Sequence, residues 1–255
     1  MTRPLPWLLV ALGCATSPPL STQSPAPATV RFLRLHLDEA EPGAVPALLA
    51  VRREYRGWVQ QQATPPGEAP FLFLQLGDAQ LWALRPAASW DEMPIQATAD
   101  RQTEDRVRAA VGAALDENGR RMHGSIQAHH NEILRFLPEL SAGQTSLTAM
   151  ASEVAVVAVD LAIPSRTEEY EARAATVARS DQFHLVFFSS PGSGAFVHFL
   201  GPGTADAALR LPDASLVRSR TVFRATPHPE LSALPPSPGS SSSVRRAPVA
   251  DLSGQ

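Results

Sequence analysis

Two histidines, His184 and His198, stand on segments that read as neighbouring strands, "FHLVFFS" and "AFVHFLGP", joined through Pro191-Gly192. If register sets them opposite each other, their Cβ atoms lie about 4.5–5.5 Å apart. Two neutral imidazoles at that spacing are a candidate ligand pair for a metal ion or a haem iron. A register shifted by one residue would send them to opposite faces, and no carboxylate lies close in sequence to complete a facial triad. Half-exposed strand histidines are the plainer expectation. A second candidate is Arg34 with His36, on "VRFLRLHL". They share a strand face with Phe32, while Leu33, Leu35 and Leu37 point the other way. A buried Arg–His pair needs partners, and Glu54, Tyr55 and Asp91 are available. Trp58, Trp82 and Trp90 belong to the same stretch of chain, so an indole could stack on a ligand whose polar end is fixed by His36. The expected ligand-binding set is Arg34, His36, Trp82 and Trp90. His123, His129 and His130 fall at the end of a helical pattern and lack the i, i+4 spacing around Glu of a zinc helix, so they read as capping or core-edge residues.

Other chemistries are excluded by residue type. All 22 basic residues are Arg. Without Lys there is no Schiff-base or P-loop lysine. Cys14 is the one cysteine, so disulfides and cysteine-based metal sites are out. No GxSxG, HExxH or GxGxxG occurs. A net charge of −3 gives no basic surface for nucleic acid.

Cys14 ends the apolar run "WLLVALGC". Arg3 supplies a positive start, and the run is far short of the roughly 20 residues of a spanning helix. "ALGC" resembles the lipobox of bacterial lipoproteins. The resemblance implies that residues 1–13 are a signal removed before Cys14, whose thiol receives a diacylglyceryl anchor. Several acyl chains hold a membrane where one does not. Ala15 after Cys14 favours the outer membrane of a Gram-negative envelope. Residues 14–29, rich in Pro, Ser and Thr, then read as a tether, and 234–255 as a disordered tail.

The elements that position these residues occur twice. "HLDEAEP" (36–42) answers "AVDLAIP" (158–164), and "PELSA" at Pro138–Ala142 recurs at Pro229–Ala233. Two matches in the same order indicate duplication. Strands are expected at 30–37, 71–76, 81–86 and 132–138, with helices at 44–61 and 100–129. Their counterparts are strands at 153–161, around the His184–His198 hairpin and at 220–226, a helix at 165–179, and a short helical turn near Ala205–Leu211. The βαββαβ order is ferredoxin-like. Two fused units, 30–142 and 153–233, resemble the dimeric α+β barrel superfamily, which includes antibiotic-biosynthesis-monooxygenase-like and haem-degrading proteins. The fold class expected is therefore α+β, a pseudo-dimeric barrel of two fused repeats. Val156 and Ala158 replace Arg34 and His36 in the second copy, so a ligand is expected in the first half, between its sheet and the long helix.

Function is expected to be that of a membrane-tethered envelope lipoprotein, non-catalytic or binding a small apolar ligand, without a cofactor. One alternative is a haem-linked or cofactor-independent monooxygenase-like enzyme. Another is an interaction module that presents the long helix to a protein partner. A barrel interior filled with Leu and Val would favour the first, and a polar cavity near His36, Trp82 and Trp90 the second.

Overall fold

Alternation decides the first strand. In β1 (Phe32–Ala40) Leu33 and Leu35 are buried among leucines while Phe32, Arg34 and His36 face the other way, the period of two that a pleated strand imposes. The computed structural model describes residues 30–62, 69–178, 183–190, 192–202 and 211–235. The expected signal, Cys14 and its tether, the 205–211 turn but for Leu211, and all but the start of the tail lie outside these residues.

The chain runs β1, α1 (Val45–Gln61), β2 (Leu72–Leu76), β3 (Gln80–Ala87), α2 (Glu92–His123), β4 (Ile126–Phe136), α3 (Leu147–Glu153), β5 (Val156–Ala162), α4 (Thr167–Ala178), β6 (His184–Ser189), β7 (Phe196–Leu200), β8 (Val217–Pro227). The strands close a mixed α+β barrel in the order β1-β3-β2-β8-β5-β7-β6-β4, antiparallel at every pairing. Closure leaves no unpaired edge to satisfy.

The two halves follow one pairing rule. β1 lies between β3 and β4 as β5 lies between β7 and β8. A register shift follows Glu39 in the first set and Leu161 in the second. The two "PELSA" turns also act alike. Ala142 exchanges both backbone hydrogen bonds with His184, and Ala233 with Phe71. The Ser141 hydroxyl accepts the Val186 N–H at 2.8 Å, and the Ser232 hydroxyl accepts that of Phe73 at 2.9 Å. Each turn therefore closes against a hairpin of the opposite half.

Helix α2 differs from expectation at both ends. It starts at Glu92, whose carboxylate accepts the Ala88 N–H, and stops at His123. Gly124 N–H reaches the Arg120 carbonyl, and the Ser125 hydroxyl donates to that of Arg121. His129 and His130 are thus strand residues, paired with Asp38 and Leu37 of β1. The apolar stripe continues through Ile126 only by coincidence of spacing; the ladder to β1 satisfies backbone groups that further helix would have left beside an unpaired β1 edge.

The barrel interior is solid. Leu33, Leu35, Leu74, Leu84, Leu134 and Val157 meet Phe187, Val197 and Phe199, and Leu147 and Met150 of α3 join them. Helices α1 and α2 lie outside the sheet, where Val59, Val107 and Leu115 form a smaller cluster. Among the described residues no helix is long and apolar enough to cross a membrane.

Candidate functional site: an arginine-lined cleft

The outward face of β1 carries Arg34, His36 and Asp38 at successive outward positions, opposite Arg85, Ala83 and Leu81 of β3. Small and polar residues on this face keep α1 and α2 from packing flat on it. A cleft of about 550 Å³ results, lined by Arg34, His36, Arg52, Tyr55, Arg56, Arg85 and Arg106, with Phe71, Phe73 and Leu231 as its apolar part. Asp100 is the carboxylate among the described lining residues.

The charges are sorted. Asp100, on α2, takes Arg34 on Oδ2 at 2.5 Å and Arg85 on Oδ1. Asp38 is buried, pairs with Arg52, and lies 3.0 Å from His36 Nε2. Burial alone would raise the Asp38 carboxyl, but the hydrogen bond from His36 and the charge of Arg52 outweigh it and leave the group below the usual range. Burial, then the charges of Glu104 and Asp100, raise the Tyr55 phenol. The guanidinium groups of Arg56 and Arg85 lie 5.4 and 5.5 Å from the Phe71 ring centroid, within cation–π range. Burial lowers Arg56. Among the described residues Arg34, Arg52, Arg85 and Arg106 outnumber Asp100 and Asp38, which gives the cleft an excess of positive charge.

The sequence-based site divides on inspection. Arg34 and His36 line the cleft; Trp82 and Trp90 do not. Trp82 is 2% exposed inside the barrel, edge-on to Phe199, because its position on β3 falls on the inward face. Trp90 is 47% exposed and lies against Phe32. Glu54 and Asp91 are not partners of the Arg34–His36 pair. Glu54 instead binds Asn118 and Arg121 of α2. Asp100, Arg52 and Arg85 escaped the sequence reading. A period-two scan of β3 would have found Arg85, but Asp100 needed the helix placed over the sheet.

His184 and His198 are not half-exposed: both are 0% exposed. They are a diagonal pair, since Val186 is opposite His198 and Leu200 opposite His184. His184 Nε2 lies 2.8 Å from His198 Nδ1, and His198 Nε2 lies 2.6 Å from the Tyr170 hydroxyl. Tyr170 donates to Asp160 at 2.8 Å, and Arg220 grips both Asp160 oxygens at 2.6 Å. With the Tyr170 hydroxyl donating to Asp160, His198 donates to the Tyr170 oxygen through Nε2 and accepts through Nδ1 from His184. Burial first, then His184 and Arg220, holds His198 well below the usual imidazole range. Burial and the Asp160 charge raise Tyr170. Among the described residues no group of three or more His, Cys, Asp or Glu is arranged to hold a metal ion.

Haem fits the cleft poorly. His36 is the imidazole in the lining, and its Nε2 is engaged by Asp38 at 3.0 Å and its Nδ1 by Asn131 at 3.1 Å. To ligate iron His36 would have to give up one of these contacts.

Fold and site together define an α+β protein with a closed eight-stranded antiparallel barrel and an arginine-lined cleft on its outer face. No family model matches the chain, and no curated protein matches its sequence. Solved structures similar to it include a proposed monooxygenase from Fusobacterium nucleatum subsp. nucleatum and another from Lactobacillus acidophilus NCFM. The first is 9% identical with a TM-score of 0.46, over 78% of this chain and 93% of that one. The second is 8% identical with a TM-score of 0.44, over 78% of this chain and 94% of that one.

Proposed function

We propose that the protein binds a small organic anion in the cleft between the β1–β3 sheet and helices α1 and α2. The excess of Arg34, Arg52, Arg85 and Arg106 over carboxylate among the described residues of a space of about 550 Å³ carries this reading. Guanidinium groups offer paired donors to anionic oxygens, while Phe71, Phe73 and Leu231 suit an apolar body. Calorimetric titration with naphthalene-1-sulfonate and its neutral sulfonamide at low salt tests it. The sulfonate binds, the sulfonamide does not, and Arg52→Met weakens binding by about tenfold. Equal affinity for both, or no binding of the sulfonate, removes the proposal.

The duplication belongs to the same reading: residues 30–142 and 153–233 derive from one ferredoxin-like unit, of which the first copy kept an open site. Shared pairing order, register shifts and "PELSA" turns support it. The lipobox adds an address: Cys14 is lipidated and residues 14–29 tether the barrel to an envelope membrane. Fatty-acid labelling lost in Cys14→Ser tests this, and unlabelled wild-type protein removes it.

The His36–Asp38 pair favours a second reading, cofactor-independent oxygenation. With Nε2 backed by Asp38, the imidazole can accept a proton on Nδ1, in place of its contact with Asn131, from an acidic phenol or enol held in the cleft, leaving an anion electron-rich enough to react with dioxygen. Oxygen uptake with hydroxyaromatic substrates, lost in His36→Ala, checks it; no uptake leaves binding alone.

A further inference from the structure

Arg34 and Arg85 are directly opposed on β1 and β3, and both point into the cleft. Like charges at opposed positions repel, so this pairing needs an anion between them. Asp100 supplies it. One guanidinium takes Oδ2 and the other Oδ1, so a single planar, two-oxygen acceptor spans the pair. That carboxylate comes from a helix, not from the sheet, and it is not sealed in: the Asp100 side chain is 37% exposed. Beside the pair lies the Phe71 ring, with Arg85 against it. Asp38 cannot play the same part, because it is buried behind Arg52 and His36.

We infer that Arg34 and Arg85 form a carboxylate-binding subsite, with Asp100 as its resident occupant and an aryl or other flat apolar carboxylate as the ligand that displaces it. The inference rests on the cleft being an anion site and names the anion. An incoming carboxylate reproduces both hydrogen bonds of Asp100, whose own carboxylate turns to solvent. The ligand's apolar body then lies against the half-buried Phe71 ring, beside Arg85. A tetrahedral sulfonate or phosphate matches the planar arrangement less well. Binding is therefore a competition, and the resident carboxylate sets a threshold of ligand affinity.

Titration of the full chain with benzoate, benzenesulfonate and benzamide, in wild type and in Asp100→Ala, tests this. Benzoate affinity rises by about tenfold in the variant, as expected for removing one charge-assisted competitor. Benzamide does not respond. Benzoate also raises the melting temperature of Asp100→Ala more than that of wild type, a rescue of the lost occupant, and Arg85→Met in the same background abolishes the rescue. If Asp100→Ala does not fold, Asp100→Asn serves: its amide cannot accept from both guanidinium groups, and the gain has the same direction. Benzoate binding that is unchanged or weaker in the variant overturns the inference while leaving sulfonate binding intact. An equal gain for benzoate and benzenesulfonate overturns the choice of carboxylate. If neither protein binds any of the anions, the cleft proposal itself fails, and this inference with it.

Discussion

Asp38 and Asp160 occupy corresponding places, each two residues before a register shift on a central strand, and each lies under a first helix. Their surroundings diverge. Ten residues on, α1 has Leu48 and α4 has Tyr170, both fully buried. Opposite β1, β3 places Ala83 and Arg85; opposite β5, β7 places His198 and Leu200. The second half fills its space with Tyr170 and the two imidazoles, hydrogen-bonded to one another. The first puts alanine and arginine there, and Arg34 and Arg85 share the carboxylate of Asp100. The same scaffold gives a sealed polar core in one half and a charged cleft in the other. The difference lies in side-chain volume and charge at a few outward strand positions and in α2, which brings Asp100 and Arg106 to the first half.

The sharpest way to break the contrast is to remove each aspartate. Asp160→Ala strands the buried Tyr170 hydroxyl and takes the counter-ion from the part-buried Arg220, and costs about 3–5 kcal/mol of stability. Asp38→Ala costs about 1–2 kcal/mol, because solvent in the cleft reaches Arg52 and His36. Equal losses in denaturant titrations would mean that the two sites are alike in burial.

Acid should separate the halves next. His198 takes up a proton more readily in the unfolded chain, near its ordinary 6.5, than in the folded one. Its stabilising contribution is thus present above pH 6.5 and is lost as pH falls below it, by about 2 kcal/mol at pH 5. The lowered Asp38 carboxyl of the first half begins to lose its contribution only as pH falls through its ordinary 3.8. Melting curves from pH 7 to 5 should therefore flatten in a His198→Phe variant, and an unchanged slope would sink the assignment.

Tyr170→Phe keeps the ring against Phe196, 4.6 Å between centroids, and removes the hydroxyl that joins His198 to Asp160. A loss of about 1–2 kcal/mol is expected; no loss would make the chain of hydrogen bonds incidental. The smallest stability effect belongs to Ala83→Leu. It fills cleft volume from the position that corresponds to His198, changes stability by less than about 0.5 kcal/mol, and abolishes naphthalene-1-sulfonate binding. Binding that survives would place the anion elsewhere.

Burial alternation and turn residues made the strands and α1 legible in the sequence, because those elements follow from local periodicity and from Pro46 in the first turn of α1. The repeated "PELSA" could be seen but not understood; its serine and alanine act on the opposite hairpin, a partner that only closure of the barrel brings near. Arg34 and His36 could be picked out because charge on an otherwise apolar strand is conspicuous. Trp82 and Trp90 could not be placed, since one sits inside and the other outside a sheet whose register depends on β1 and β2 together. The sequence by itself determined most of the strands, helices α1 and α4, the recurrence of "PELSA" and the polar face of β1, all consequences of residue type at short range, but not the helix α3. The tertiary structure alone decided that helix pattern would yield to strand at Ile126, where β1 offered backbone partners. It decided too that Asp100 would cross from α2 to join Arg34 and Arg85, and that two histidines 14 residues apart would meet in the dry. Each of these depends on which surfaces long-range pairing excludes from water, and no local pattern carries that information.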